Sequence, residues 1–279
     1  MITLRPTGGL GNRMLAIHSA LHLCHQWKKD CHILWVKNQY LNASFFDLFE
    51  PIDVGSFQLT FEETSKPSLL YSDRELPQLK QRIYNALLKR YQRVYFDQVI
   101  HGYEVAKRLT NGYSFQELEH VGKILITSWS RFAGTPLKPG VFVPVGEVSG
   151  KINGLTEQFS AHTVGIHIRR GDHIESTRLS PTSLFMEKMD ALIETNAQVR
   201  FFLSSDSDEE KGKLIQRYGD RIIQQTPEKG DRNSTHGMQS AVVDMFGLAA
   251  TDKILGSSLS TFSLVASELG EIPFEEVRR

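Results

Sequence analysis

The chain alternates short apolar runs with longer segments of helical periodicity, and few folds accommodate that alternation. The runs ITLRP, CHILWV, KILITSW, HTVGIHI and VRFFLSS have the length of buried strands. After the first run, apolar side chains recur at helical spacing, at Met14, Ile17, Leu21 and Cys24. Strands that alternate with helices are typical of parallel sheets. The sequence therefore predicts an α/β fold.

Two domains of similar size fit the 279 residues. A stretch rich in Gly and Pro, residues 134–154, lacks periodicity and is the best boundary candidate. Residues 66–118 are predicted to be helical and polar, with no clear sheet signal. The sequence thus predicts domains at residues 1–150 and 151–279, with function carried by loops around a cleft between them.

The second half has the more regular pattern. It predicts strands at residues 162–168, 199–205, 220–225 and 252–258, and helices at residues 180–196, 208–219, 236–251 and 260–270. Ser180 is the expected cap of the first of these helices, with Pro181 at its first position. Ligands bind at the carboxyl ends of such strands, so the loops after them are the candidate site.

Composition argues against several classes of function. Lys plus Arg and Asp plus Glu are both 32, so the net charge is zero and no nucleic-acid partner is predicted. Cys24 and Cys31 lack metal-ligand spacing and are too few for a disulfide framework, as is typical of reducing compartments. Without a signal-peptide pattern or an apolar stretch of about 20 residues, we expect a cytoplasmic protein with no integral membrane segment.

Two arginines leave the end of the predicted strand HTVGIHI. A guanidinium group at this position, at Arg169 or Arg170, offers a rigid fork of donors that suits a diphosphate, and Gly171 allows close approach of the backbone. Alternatively, the two arginines form ion pairs with Asp172 and Glu175 and only stabilise the fold. The chemistry of these residues leaves both interpretations open.

The next two loops also carry polar groups. Asp206 and Asp208 form an Asp-x-Asp pair that could hold a divalent metal on a diphosphate, or Asp208 could simply favour the start of a helix. In GSSLSTFS, hydroxyl side chains and backbone amides could bind phosphate, or Ser260 or Thr261 could only cap a helix. Asp244 lies within an apolar helix, where a carboxylate needs a partner or a task.

In this order, GGLGNRM, HIRRGD, SSDSDEE, RNSTHGMQSAVVDM and LGSSLSTFS resemble the superfamily of GDP-fucose-dependent fucosyltransferases. That group includes α-1,2-, α-1,6- and protein O-fucosyltransferases and the bacterial nodulation enzyme. The resemblance implies a GT-B-like fold, with two Rossmann-like domains whose parallel sheets face a cleft. It also implies inversion at the anomeric carbon without a metal or cofactor, with GDP-fucose as donor substrate and a glycan as acceptor.

The resemblance also implies roles for individual residues. Arg169 would bind the β-phosphate, His167 and Asp244 would contact guanine, and Asp206 would be structural or contact the ribose. The phosphate cradle would be completed by Ser260 and Thr261. Arg170 and Asp172 would orient the loop.

The catalytic base is less well defined by the resemblance. In the α-1,6 branch, a glutamate several residues after the arginine pair has that role, whereas Glu175 stands two positions earlier. Asp172, His173, Glu175 or a residue of the first domain could accept the proton.

The turn GGLGNRM departs from a dinucleotide fingerprint because Met14 occupies the third glycine position. A nicotinamide or flavin site is therefore disfavoured. Gly9, Gly11, Asn12 and Arg13 would instead line the cleft from the acceptor domain, the alternative being a tight turn without a ligand. Two other functions also remain open: a non-catalytic nucleotide-sugar-binding protein, and a transferase that uses a different nucleotide-sugar donor.

Overall fold

The computed structural model describes residues 1–64, 78–171, 174–225 and 233–279. The chain divides into two compact units, the first formed by residues 1–45 and 51–135 and the second by residues 46–50 and 136–279. The predicted boundary at residue 150 differs from this division. Phe49 packs against Phe142 with ring centroids 5.4 Å apart, which joins the short segment and the predicted linker to the second unit.

The first unit is built on a five-stranded sheet. Its strands are β1 (Ile2–Pro6), β2 (Cys31–Val36), β3 (Leu59–Thr64), β4 (Gln98–Ile100) and β5 (Ile124–Ser128), and its helices are α1 (Leu10–Trp27), α2 (Gln78–Tyr95) and α3 (Gly102–Thr110). The strand order is β3-β2-β1-β5-β4, and all neighbours are parallel. Both α1 and the first three predicted strands lie where the sequence places them.

The prediction of a purely helical segment at residues 66–118 was wrong in one respect. It contains β4, whose three residues are too short to give a periodic signal. Before this segment, β3 alternates half-buried with exposed residues and ends in three polar side chains. It therefore lacks the apolar run that would identify it as a strand in the sequence. Residues 65–77 lie outside the described part of the chain.

The second unit contains a second five-stranded sheet. Its elements are α4 (Gly146–Thr156), β6 (Thr163–Ile168), α5 (Ile174–Leu179), α6 (Thr182–Thr195), β7 (Arg200–Ser205), α7 (Asp208–Tyr218), β8 (Ile222–Ile223), α8 (Thr235–Ala249), β9 (Lys253–Ser257), α9 (Thr261–Gly270) and β10 (Phe274–Val277). The order is β10-β9-β6-β7-β8, again with parallel neighbours. The predicted α/β fold with parallel sheets is confirmed.

Three elements of the second unit were not predicted: α4, α5 and β10. The glycines of α4 are poor helix formers, so the sequence pattern does not predict this helix. The buried side chains of Val148 and Leu155 stabilise it. The cap of α6 is Pro181 and not Ser180 as predicted. The Ser180 hydroxyl instead accepts a hydrogen bond of 2.8 Å from the backbone N–H of Ser258.

The core of this sheet is apolar on both faces. Ile166, Phe201 and Phe185 are fully buried in one cluster, and Gly165 faces α8. A Cβ atom at Gly165 would lie 2.9 Å from side-chain atoms of Leu248 and Thr251, so glycine allows the close packing of that helix. This packing fixes the strand β6 from which the arginine pair emerges.

Within the described ranges, no helix has both the length and the apolar character that are needed to cross a membrane.

Candidate functional site

The candidate site lies at the point where the strand order of the second sheet reverses. From β6 the chain builds outward through β7 and β8 on one side, whereas β9 and β10 lie on the other. The carboxyl ends at such a switch point form the usual ligand crevice of doubly wound sheets. A hydrogen bond of 3.0 Å from the backbone N–H of Arg169 to Ser257 Oγ joins the ends of β6 and β9.

Asp206, at the end of β7, holds both arginines of the HIRRGD stretch. Its Oδ2 contacts Nη1 of Arg169, and its Oδ1 accepts a hydrogen bond of 2.7 Å from the backbone N–H of Arg170. The Arg169 and Asp206 side chains are 13% and 20% exposed. Because it is partly shielded from water, the pair fixes the guanidinium group while leaving part of it accessible.

Gly171 is needed beside this pair. Its φ of +29° is in the left-handed region, and a Cβ atom would lie 2.8 Å from Asp206 Oδ2 and 3.3 Å from Arg169 Nη1. Glu175 was a predicted alternative partner of the arginines, but its carboxylate pairs with Arg178 at 2.8 Å. The acidic partner of Arg169 is therefore Asp206, which follows the neighbouring strand β7, and not a carboxylate of its own loop.

The Arg170 side chain has partners of its own. Its Nη2 donates to Thr182 Oγ1 at 2.8 Å and lies 3.7 Å from Glu210 Oε2. Burial lowers the pKa of Arg170, and the charges of Glu210 and Asp206 oppose that shift. These contacts tie Arg170 to the starts of α6 and α7, and its role in orienting the loop stays a prediction. The contacts of Arg170 with Thr182 and Glu210 were not predicted. In the sequence, Glu210 has the pattern of an ordinary carboxylate in the first turn of a helix.

A polar cavity of about 400 Å³ lies beside this network. Its lining includes Arg170, Gly171, Thr182 and Ser207. The cavity therefore adjoins the loop that carries the arginine pair.

His167 is the last inward-facing polar residue of β6. It is 5% exposed, and its Nδ1 lies 2.6 Å from Ser263 Oγ. The ring stacks on Phe262, with centroids 4.9 Å apart and planes inclined by 24°. Burial lowers the pKa of His167 to about 4, although the nearby Asp206 opposes this shift. The imidazole is therefore neutral at physiological pH.

Asp244 has hydrogen-bond partners within the second unit. Its Oδ2 accepts from Ser204 Oγ at 2.8 Å and its Oδ1 from Gln225 Nε2 at 3.3 Å. Burial of the carboxyl group raises its pKa to about 6, while the hydrogen bond from Ser204 acts in the opposite direction. The residue is half-buried and keeps some contact with solvent.

The loop between β9 and α9 leads into a helix start. Leu259 has a φ of +61°, which is uncommon for a residue with a side chain. Ser260 is the N-cap residue of α9, but its side chain makes no capping hydrogen bond. The backbone amides that begin at Thr261 carry the positive end of the helix dipole, which suits an anion.

In the first unit, Arg13 does not line a binding surface. Its side chain is fully buried and donates to the backbone oxygens of Gly8 at 3.0 Å and Val36 at 2.8 Å. It also donates to Asn38 Oδ1 at 3.1 Å and stacks over Trp35 at 4.8 Å. The prediction that Arg13 lines the cleft is corrected: burial and these contacts make it a support of the amino-terminal turn.

The other residues of that turn lie at the start of α1. Gly9 is the N-cap residue, Gly11 is buried in the first turn, and Asn12 is half-buried. Gly8 has a φ of +80°. These positions give a strand-to-helix turn at the carboxyl end of β1, and a role of Gly9, Gly11 and Asn12 in ligand binding stays a prediction.

Of the three side chains considered as the catalytic base in this loop, the structure describes only Glu175. Asp172 and His173 lie outside the described residues, whereas the Glu175 side chain is 61% exposed at the start of α5. Asp208 begins α7, next to Glu209 and Glu210. In the described part of the chain, no group of three His, Cys, Asp or Glu side chains is arranged to hold a metal ion.

Comparison with known proteins identifies the fold. No protein-family model and no curated protein sequence matches the chain. Among solved structures, the NodZ α-1,6-fucosyltransferase soaked with GDP-fucose matches with a TM-score of 0.65 at 17% identity, over 99% of this chain and 94% of that one.

Two further structures of this kind also match. FUT1 of Arabidopsis thaliana, solved in complex with GDP, has a TM-score of 0.59 at 17% identity, over 98% of this chain and 69% of that one. POFUT1 in complex with GDP has a TM-score of 0.52 at 11% identity, over 99% and 98%. The predicted GT-B-like fold is confirmed.

Proposed function

We propose that the protein transfers fucose, or a related 6-deoxyhexose, from a GDP-sugar to a hydroxyl group of a glycan, with inversion and without a metal ion. The observation that carries this proposal is the clamped Arg169 guanidinium at the switch point of the second sheet. The fold is shared with fucosyltransferases that were solved with GDP or GDP-fucose, which supports the choice of donor.

In this proposal, Arg169 neutralises the charge that develops on the β-phosphate as GDP departs. Asp206 keeps the guanidinium in place before the substrate binds, so little reorganisation is required in the transition state. The amides at the start of α9, with Ser260 and Thr261, complete the phosphate cradle. Together these groups supply the charge stabilisation that a metal provides in other transferases.

Guanine would be recognised by His167 and Asp244. A carboxylate accepts hydrogen bonds from N1–H and the 2-amino group of guanine, and a neutral imidazole N–H donates to the carbonyl oxygen. Adenine offers an amino group in place of that carbonyl and has no hydrogen on N1. The pair of side chains therefore favours guanine.

The remaining parts of the proposal concern the acceptor and the base. The second unit would bind the GDP-sugar, and the first unit, with Gly9, Gly11 and Asn12, would bind the glycan. Asp172 and Glu175 are candidates for the base, but the ion pair of Glu175 with Arg178 weakens its claim because a base must be available to the acceptor hydroxyl. We place the reaction in the cytoplasm.

The affinity for GDP is expected to fall as the pH drops from about 7 to about 5. Asp244, with a pKa of about 6, is a carboxylate above that pH and loses its charge below it. Only the carboxylate can accept both guanine hydrogens, so binding weakens by up to about tenfold per pH unit below the pKa. His167 stays neutral throughout, since its pKa is about 4. Calorimetric titration at several pH values measures the effect.

The phosphate groups of GDP also titrate near pH 6, so a control is required. In Asp244→Asn, the phosphate groups still contribute to the pH dependence of GDP affinity, whereas the side chain at position 244 no longer titrates. An Asp244→Asn profile as steep as that of the wild type would show that Asp244 does not face the base.

Calorimetry with GDP, UDP and ADP, each with magnesium and with a chelator, tests the donor class. We expect selective binding of GDP that is independent of magnesium. Preference for UDP or a requirement for magnesium would contradict the proposal and return the metal role to Asp206 and Asp208.

A non-catalytic nucleotide-sugar-binding protein is the second candidate, favoured by the Glu175–Arg178 ion pair, which occupies one of the possible bases. GDP release from GDP-fucose in the presence of a panel of glycans separates the two functions. Binding of GDP without release of GDP under any acceptor would support the second candidate.

A further inference from the structure

His167 and Ser263 form a buried pair with a defined placement of hydrogens. Nδ1 and Oγ are 2.6 Å apart, Ser263 has no exposed surface and His167 is 5% exposed. The Ser263 hydroxyl packs against Gly256 of the adjacent strand β9. A Cβ atom at Gly256 would lie 2.5 Å from Ser263 Oγ, so only glycine leaves space for the hydroxyl. Both side chains of the pair are therefore enclosed within the second unit.

Two placements of the hydrogen atoms are conceivable: Ser263 donates to Nδ1, or Nδ1–H donates to Oγ. The second would leave the buried hydroxyl hydrogen in need of another acceptor, and His167 is the only partner of this hydroxyl among the described residues. A buried donor without an acceptor is strongly disfavoured. The hydroxyl therefore donates to Nδ1, and the neutral ring carries its hydrogen on Nε2. Within the same described ranges, Nε2 has no hydrogen-bond partner.

We propose that Ser263 is a positioning residue, which holds His167 in the form that donates from Nε2 to a carbonyl oxygen of the donor's base. This inference rests on the proposed function, because it takes GDP as the ligand that His167 meets. The opposite tautomer would present a bare nitrogen to that carbonyl, and the two lone pairs would repel each other. A serine that never touches the nucleotide would thus contribute to its selection.

The tautomer is measured without a ligand, by NMR of protein labelled with ¹⁵N-histidine. His167→Gln identifies the signal of His167 among the histidines. We expect the wild type to show the Nε2–H form alone and Ser263→Ala to show a mixture. Ser267→Ala is the matched control, since Ser267 lies one turn further along α9 and its hydroxyl donates to Leu264 O at 2.8 Å.

The consequence for binding is measured by calorimetry with GDP and with its thio analogue, in which sulfur replaces the carbonyl oxygen of the base. Loss of one hydrogen bond predicts that Ser263→Ala binds GDP about tenfold more weakly. The variant should also lose most of the wild-type preference for oxygen over sulfur, whereas Ser267→Ala should keep it.

The outcomes separate this inference from the proposed function. Nδ1–H in the wild type, or an unchanged oxygen-to-sulfur preference in Ser263→Ala, overturns the role of Ser263 while GDP binding stands. Failure of the wild type to bind GDP overturns the proposed function, and with it the ligand named here.

A separate surface feature lies on α2, which turns an apolar stripe outward. Val94, Leu87 and Ile83 are 75%, 63% and 57% exposed, and their spacing of four and seven residues places them on one face. On the opposite face, Gln92 is only 2% exposed. This orientation is the reverse of that in an ordinary surface helix.

The charges of α2 indicate what could cover the stripe. The sequence of Gln78–Tyr95 contains five Lys and Arg residues and no Asp or Glu, although the whole chain has equal numbers of both. Lys80, Arg90 and Arg93 are exposed. Basic side chains with long apolar stems beside an apolar stripe are the features of a helix that lies in the interface of an anionic membrane.

We infer that α2 binds the surface of an anionic lipid bilayer, with Ile83, Leu87 and Val94 inserted among the acyl chains and the basic side chains among the headgroups. The inference is independent of the proposed function. It requires no membrane-spanning helix, because an interfacial helix lies parallel to the bilayer plane.

Flotation with vesicles tests this inference. The full chain should float with vesicles of phosphatidylglycerol and phosphatidylcholine and remain behind with phosphatidylcholine alone. The double variant Leu87→Asn, Val94→Asn should lose at least about tenfold in partitioning. Ile215→Asn, at a position 36% exposed on α7, is the control and should float as the wild type does.

Three results would overturn the membrane inference. They are absence of flotation in the wild type, equal flotation of the double variant, and a dimer in light scattering that the double variant abolishes. The last would assign the stripe to a second copy of the chain.

Discussion

Replacing Arg169 with alanine is expected to lower kcat/KM for transfer from GDP-fucose by about a thousandfold or more, with little change in the free energy of unfolding. In the proposed reaction, this guanidinium meets the negative charge that appears on the departing β-phosphate. Removal of one preorganised group of this kind costs about 10² to 10³ in rate, and loss of an arginine at a phosphoryl group costs more. Steady-state kinetics and thermal unfolding measure the two quantities.

Two further substitutions sharpen that test. Arg169→Lys keeps the charge but loses the fork that Asp206 holds, so we expect an activity between those of alanine and the wild type. Arg217→Ala removes an arginine whose side chain is 51% exposed in the same unit, and it should behave as the wild type. Full turnover by Arg169→Ala would refute the assigned mechanism.

Replacing Arg13 with alanine is expected to destabilise the first unit by about 3 kcal/mol or more. The substitution leaves the partly buried carbonyl groups of Gly8 and Val36 without this donor and opens a cavity beside Trp35. Denaturant unfolding measures the loss. Because the side chain has no exposed surface, we expect the affinity for GDP to remain as in the wild type wherever the variant is folded.

Arg93→Ala is the matched control for stability, since Arg93 is an exposed arginine of the same unit. A stable Arg13→Ala protein that had lost GDP binding would reverse our correction. The guanidinium would then belong to the ligand site, as the sequence pattern GGLGNRM predicts.

Local patterns account for the elements that the sequence predicts well. β2 coincides with the apolar run CHILWV, and β6 and β9 are marked by runs that end in polar residues. Short or polar elements escape such reasoning. β10 has two exposed glutamates in its centre, and α4 is identified only by the burial of Val148 and Leu155 in three dimensions.

The candidate site shows the same division. Its polar residues at strand ends are visible in the sequence, but their pairing is not, since the Arg169–Asp206 contact joins residues 37 apart in the chain. The nearer carboxylate of Glu175, an obvious partner along the sequence, is directed to Arg178 instead. Similarly, Ser263 resembles any small residue of an apolar helix until β6 places His167 beside it.

The position of β6 between β7 and β9 has a consequence for how the protein would acquire its proposed activity. The Arg169–Ser257 hydrogen bond joins residues 88 apart in the chain, so it can form only after β9 has been synthesised and a long loop has closed. A nascent chain that has reached β8 carries the arginines but lacks the strand and helix that complete the cradle. We therefore expect the nucleotide to bind only the completely folded second unit. Bound nucleotide would then stabilise β9, the last of these strands to be synthesised, against local unfolding.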